Sequence, residues 1–156
     1  MKKLFLIIST FFLSTFLNAQ SDLYVKIKKV LQQTHPELVT DNKLIAINIW
    51  SVEDANSRET NKSFEKTYTV YEFARLKGGL RGIVFVALNL DNLSSTATIT
   101  LSKDGVIKSI SLKAEDVEGL NSYEIENIVF DSTGNFVYKN LPPSTVFSSI
   151  QSLITR

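Results

Sequence analysis

The sequence predicts an α/β fold in which helices flank a sheet whose first two strands run parallel. Two apolar runs rich in β-branched residues, Leu44–Trp50 and Gly82–Leu90, have the continuous hydrophobic character of strands that are buried on both faces. Between them, Arg58–Lys77 carries apolar residues at helical spacing and is followed by two glycines, which are typical of a helix end. A strand, a helix and a second strand with a connection of this length imply parallel pairing of the two strands.

Residues 1–19 have the layout of a secretory signal. Two lysines precede an apolar run from Leu4 to Leu17, and the small residue Ala19 precedes the expected cleavage point. Serines and threonines interrupt the run, which falls short of the roughly 20 residues that a membrane-spanning helix needs. We therefore expect export to the periplasm or the extracellular space, no stable membrane span after cleavage, and a single domain over residues 20–156.

Charge and composition argue against several classes of function. Residues 1–19 hold two lysines and no acidic residue, so their removal changes the formal net charge from +1 to −1. A near-neutral domain argues against nucleic-acid binding, which relies on clustered Lys and Arg. The chain has no cysteine and a single histidine, His35, so one chain cannot assemble a zinc site of the usual kind. We predict no cofactor, no metal and no nucleic-acid partner.

The domain is predicted to begin with an amphipathic helix over Asp22–Thr34. Leu23, Ile27 and Leu31 recur at helical spacing, and a His-Pro pair follows at residues 35–36. The helix ends there because proline disfavours helical geometry in the residue before it. A polar turn then leads into the strand Leu44–Trp50.

Residues 94–112, taken alone, indicate a β-hairpin. Threonines alternate with apolar residues before Asp104-Gly105, and a second apolar run follows this turn sequence. Further along, residues 127–130 and 136–139 flank a turn with the sequence Asp-Ser-Thr-Gly-Asn, which predicts an antiparallel hairpin. Apolar residues at helical spacing after Pro142-Pro143 predict a final helix.

The segment around Trp50 resembles the active-site segment of the thioredoxin-like thiol-disulfide oxidoreductases of the bacterial envelope. In that family a buried strand ends in an aromatic residue, and a short loop leads to Cys-x-x-Cys-Arg at the start of a helix. Here Trp50 matches the aromatic residue, Asp54 and Ser57 occupy the cysteine positions, and Arg58 matches the arginine. The family also has a cis-proline beside the cysteines, and that position is Ile125 here.

The resemblance covers nearly all of residues 20–156 and implies a three-layer sandwich, with a central mixed sheet between helices. Leu88-Asn89-Leu90-Asp91 matches the tip of the family's second strand, and Asp131-x-x-Gly134 matches its hairpin. In this family, the segment 94–112 would instead begin as a helix, capped by Ser94 or Ser95, that ends at a Lys-Asp-Gly-like sequence before a short strand. We favour that helix over the hairpin.

The family's usual reaction is excluded, because neither Asp nor Ser can replace a thiolate in thiol–disulfide exchange. We expect a redox-inactive module of the bacterial envelope that binds a protein or peptide through Trp50, Asp54, Ser57, Arg58 and Glu59. No catalytic residue is assigned. One alternative is a non-thiol enzyme that uses Asp54, Arg58 and Glu59; another is an orphan structural envelope protein. The simplest interpretation of the polar loop is helix capping, with Asn56 and Glu59 at capping-box spacing.

Overall fold

A five-stranded mixed sheet forms the centre of the protein. The computed structural model describes residues 22–120 and 123–155. The strands are β1 (Leu44–Trp50), β2 (Ile83–Asn89), β3 (Ile110–Lys113), β4 (Asn127–Phe130) and β5 (Phe136–Lys139). Their order in the sheet is β3-β2-β1-β4-β5, with β1 central. β1 pairs in parallel with β2 and antiparallel with β4, so the predicted mixed sheet is confirmed.

Four helices surround this sheet in the described part of the chain. They are α1, described over residues 22–34, α2 (Ala55–Tyr71), α3 (Ser94–Lys103) and α4 (Pro143–Gln151). Short 3-10 turns occupy Lys77–Gly79 and Ala114–Asp116. None of the helices within residues 22–120 and 123–155 has the length and apolar character needed to cross a membrane. The predicted signal segment, residues 1–19, lies outside the described residues.

The alternation of side chains along β1 divides the core into two layers. Ile45 and Ile47 are buried on the face that packs against α1. Leu44, Ala46 and Trp50 are buried on the opposite face, among residues of α2, α3 and α4. Successive residues of a strand point to opposite faces, so a continuous apolar strand is what a sheet between two helical layers requires. The three-layer arrangement is therefore the predicted one.

The bounds of α2 differ from the predicted helix, Arg58–Lys77, at both ends. The helix begins at Ala55, because Asp54 caps it, and it ends at Tyr71. Beyond Tyr71 the chain turns back on itself. Leu76 donates its N–H to the carbonyl of Leu80 at 2.9 Å, and this hydrogen bond takes the place of a helical one. In the segment after the helix, Phe73 is 82% exposed.

The segment 94–112 forms helix α3 and strand β3, so the hairpin alternative is wrong. Ala97, Thr100 and Leu101 are buried at helical spacing, whereas Ile99 is 54% exposed. This burial pattern matches one face of a helix and not the alternation of a strand. Packing of Ala97 and Leu101 against the core thus outweighs the weak helix propensity of the threonines.

Candidate functional site

The loop between β1 and α2 lies at the ends of the parallel strands β1 and β2, where open α/β sheets usually place their sites. Trp50 ends β1 and is 1% exposed, so its ring is part of the core and not of the surface. Its carbonyl accepts a hydrogen bond from the N–H of Leu90 at 2.9 Å, which ties the ends of the two strands together. Trp50 therefore anchors the start of the loop to the core.

Asp54 is the N-cap of α2. Its Oδ1 accepts hydrogen bonds from the N–H groups of Asn56 at 3.0 Å and Ser57 at 3.3 Å. These N–H groups have no partner within the helix, so the carboxylate satisfies them at the positive end of the helix dipole. The predicted capping box of Asn56 and Glu59 is wrong, because the helix begins one residue before Asn56.

Ser57 is a buried structural residue. It is 6% exposed, and its hydroxyl donates to the carbonyl of Asp54 at 3.0 Å. The N–H of Ser51 donates to the same hydroxyl oxygen at 3.4 Å. The Ser57 hydroxyl thus connects the start of the loop to its end.

Beneath the loop, two buried asparagines join β1 to α2. The Nδ2 of Asn48 donates to the carbonyl of Ser57 and to Oδ1 of Asn61, both at 2.8 Å. Both asparagines are 1% exposed. The two hydrogen bonds of the Asn48 amide fix the position of the first turns of α2 over the sheet, whereas Nδ2 of Asn61 has no hydrogen-bond partner within the described residues.

The loop after β2 also stabilises the β1–α2 loop. Asp91 accepts hydrogen bonds through Oδ2 from the N–H of Val52 at 2.8 Å and from Nδ2 of Asn89 at 2.9 Å. Asn89 in turn accepts the N–H of Asp91 at 3.0 Å through Oδ1. Asn89 and Asp91, which match the family's second-strand tip, therefore order the β1–α2 loop.

Arg58 forms an ion pair that links α2 to the end of α3. Its Nε donates to Oδ2 of Asp104 at 2.8 Å, and its Nη2 donates to Oδ1 at 2.7 Å. The Asp104 side chain is 8% exposed. Hydrogen bonding and charge attraction from Arg58 lower the pKa of Asp104 and raise that of Arg58. Glu59 is exposed and pairs with Lys62 at 2.6 Å.

The Arg58–Asp104 pair is expected to make stability depend on acid pH. The folded pKa of Asp104 is below its ordinary value of 3.8, so its contribution is complete above that value and is lost as the pH falls through the folded pKa. Asp104→Asn should lower the free energy of unfolding at pH 7 by on the order of 1–2 kcal/mol. The difference from wild type should disappear at the lowest pH, as measured by urea unfolding at several pH values.

The control for this prediction is Lys103→Gln, which removes an exposed neighbouring charge. Its stability should run parallel to that of the wild type across the acid range. A constant difference between Asp104→Asn and wild type from pH 7 to pH 2 would contradict the role given to the ion pair.

A cavity of about 280 Å³ opens beside the start of α2. We call it the acidic pocket. Its walls come from β1, from the start of α2 and from Glu126, which lies between Ile125 and the start of β4. It is lined by Ile49 and by six polar or charged residues: Asn48, Asp54, Asn56, Ser57, Thr60 and Glu126. Asp54 and Glu126 are both exposed, and within the described residues neither carboxylate has an ion-pair partner.

The structure separates the five residues that the sequence assigned to the site. Asp54 and Ser57 line the acidic pocket, whereas Trp50 is buried and Arg58 is engaged by Asp104. Sequence reasoning missed Glu126, which is distant in the chain. It also missed Asn48, although a lone amide within an otherwise apolar strand was a visible signal.

The geometry gives no support to an acid–base role for Asp54. Its side chain is open to solvent, and its hydrogen bonds go to helix N–H groups. Acid–base catalysts usually lie in a cleft that excludes water, whereas Asp54 is exposed and caps a helix.

The sequence matches no protein-family model and no curated protein. Similar solved structures are the thioredoxin domain of a thiol-disulfide oxidoreductase from Bacteroides vulgatus (TM-score 0.60, 17% identity, 74% of this chain and 81% of that one) and a thiol:disulfide interchange protein from Bacteroides sp. (TM-score 0.58, 15% identity, 72% and 73%). A secreted disulfide oxidoreductase from Mycobacterium tuberculosis is also similar (TM-score 0.56, 11% identity, 72% and 84%).

Proposed function

We propose that this thioredoxin-fold protein is an exported module that binds a protein or peptide through the acidic pocket. The fold is that of thiol-disulfide oxidoreductase domains, but the chain contains no cysteine and cannot perform their reaction. What carries the proposal is the cavity of about 280 Å³ at the start of α2. Export rests on the signal-like residues 1–19.

The charge of the acidic pocket indicates what kind of partner group it takes. Asp54 and Glu126 place two negative charges at its wall, and the first cation of α2, Arg58, forms an ion pair with Asp104. A cationic group such as a lysine or arginine side chain would compensate both carboxylates. The exposed side-chain amide of Asn56 adds hydrogen-bonding capacity to the same wall.

The loop beside the pocket is held in place by hydrogen bonds, which favours a binding function. Ser57 and Asp91 each hold loop N–H groups in place, and Asn48 fixes the helix beneath them. A surface that is already ordered loses little conformational entropy when a partner binds. The polar network thus keeps the pocket in one shape without any thiol chemistry.

The experiment compares the wild-type protein with the double variant Asp54→Asn, Glu126→Gln on an array of extended peptides. The array pairs each Lys- or Arg-containing sequence with a copy in which Gln replaces the basic residue. Asn is as good a helix cap as Asp, so the variant removes charge while α2 keeps its start. Wild type should bind the basic peptides at least tenfold better than their Gln copies, and the double variant should lose this preference.

The matched control is Asp116→Asn, Glu118→Gln, which removes two exposed charges outside the pocket. It should bind as the wild type does, and binding should weaken with added salt. Equal binding of basic and Gln peptides, or equal loss in both double variants, would overturn the proposal. Arg58→Glu is not a suitable probe, because it breaks the ion pair with Asp104.

A further inference from the structure

A second concave surface lies at the opposite end of the sheet, where β1 and β2 begin. The chain from Ala74 to Gly82 forms a loop whose base is closed by the N–H of Gly82, which donates to the carbonyl of Ala74 at 2.9 Å. Leu76 and Leu80 anchor the loop, at 2% and 7% exposure. The N–H of Lys77 donates to the carbonyl of Leu153 at 2.8 Å, so the loop is tied to the end of the chain beyond α4.

This loop presents three cations: Arg75, Lys77 and Arg81. All three side chains are exposed, and none forms an ion pair within the described residues. Arg75 and Arg81 are opposed in an isolated antiparallel bridge, which places their side chains on the same face. Like charges placed directly opposite each other are destabilising, so the unliganded loop carries an electrostatic cost.

The acidic residues near the loop are already engaged. Asn42 accepts the N–H of Arg81 through its carbonyl. The side chain of the preceding residue, Asp41, lies 3.5 Å from the Nζ of Lys28. Glu72 lies 3.5 Å from Lys108. The carboxylate of Asp131 accepts hydrogen bonds from Thr133 and Asn135 of its own turn. Within residues 22–120 and 123–155, no acidic side chain forms an ion pair with any of the three cations.

A cavity of about 290 Å³ lies among these cations, and we call it the basic cleft. Gly78 and Gly79 form one wall, with no atom within 4 Å of where a side chain would begin, so a ligand can approach the backbone there. Thr155 also lines the cleft.

We propose that the basic cleft binds a phosphate group. Two guanidinium groups and one ammonium group match a dianion with several acceptor oxygens, and guanidinium binds phosphate through two parallel hydrogen bonds. The phosphate belongs either to a soluble phosphate ester or to a phospholipid headgroup, which share this chemistry. The cleft is separate from the acidic pocket, and this proposal does not depend on the peptide-binding function.

Two arms of one experiment distinguish the two sources. In the first, pyrophosphate is titrated into the ¹⁵N-labelled protein that remains after cleavage, residues 20–156, and amide shifts are followed by NMR. In the second, the same protein is sedimented with phosphatidylglycerol vesicles and, for comparison, with phosphatidylcholine vesicles. We expect shifts at residues 77–81 in the first arm for a soluble ligand, and sedimentation with the anionic vesicles alone for a lipid headgroup.

The variant is Arg75→Gln, Arg81→Gln, and the control is Lys29→Gln, Lys103→Gln, which removes two exposed cations elsewhere. Binding should fall at least tenfold in the arginine variant and stay at the wild-type level in the control. Without ligand the arginine variant should be at least as stable as wild type, because a repulsive pair is removed. No binding in either arm, equal loss in both variants, or destabilisation of the arginine variant would overturn the proposal.

Discussion

Gly82→Ala is expected to destabilise the protein by roughly 3 kcal/mol, from the cost of a left-handed backbone and from steric overlap. Gly82 has a φ of +86°, and a Cβ atom there would lie 2.3 Å from the backbone carbonyl oxygen of Glu72. A backbone atom cannot rotate away as a side chain can. The same glycine accepts the N–H of Leu44 at 3.0 Å, so a shift would disturb the start of β1.

Gly79→Ala is the matched control for this prediction. Gly79 has a φ of +79° but no atom within 4 Å of the new Cβ, so only the backbone term of about 1 kcal/mol applies. Urea unfolding, followed by the fluorescence of Trp50, the single tryptophan, measures both variants. Equal losses of stability in the two variants would contradict the close contact between Gly82 and Glu72.

The strands were the most predictable part of the fold, for a physical reason. A strand buried on both faces must be apolar at every position, and Leu44–Trp50 is apolar except for Asn48. The bounds of β1 therefore agree with the predicted ones. Those of the hairpin strands β4 and β5 also agree, because the turn sequence between them marks where each strand ends. Turn residues such as Gly134, at a φ of +85°, mark where such strands must reverse.

The end of α2 could not be predicted from local spacing, because distant contacts decide it. Leu76 fits the helical pattern, but it forms a bridge with Ile154, near the end of the chain. Helical periodicity reports only which residues share a face and says nothing of a competing partner elsewhere. In residues 94–103 the composition favours a strand, but the segment is helical because one helical face is buried against the core.

The candidate site was predictable in place but not in composition. The strand-loop-helix order located the loop after β1, and the helix-start chemistry of Asp54 follows from its sequence position. Glu126 reaches the acidic pocket only through the antiparallel pairing of β1 and β4, and Asp104 reaches Arg58 only through the packing of α3. Such contacts between residues far apart in sequence have no local signal.

The second large effect is expected at Trp50. Trp50→Ala should lower the free energy of unfolding by about 3–5 kcal/mol, the usual cost of deleting a buried large aromatic side chain. The ring is 1% exposed and belongs to the buried cluster that contains Phe64 and Phe85. Circular dichroism in urea measures the loss, because the variant has no tryptophan fluorescence.

Trp50→Phe separates a packing role from a binding role for this residue. The Nε1 of Trp50 is buried and has no hydrogen-bond partner within the described residues. Removing an unsatisfied buried donor recovers about 1–3 kcal/mol, which offsets much of the volume lost with the smaller ring. Trp50→Phe should therefore remain within about 1 kcal/mol of wild type and keep the preference for basic peptides. If the Trp50→Phe protein folds but loses the preference for basic peptides, the indole contributes to binding. If its loss of stability is as large as that of Trp50→Ala, the Nε1–H forms a hydrogen bond in solution.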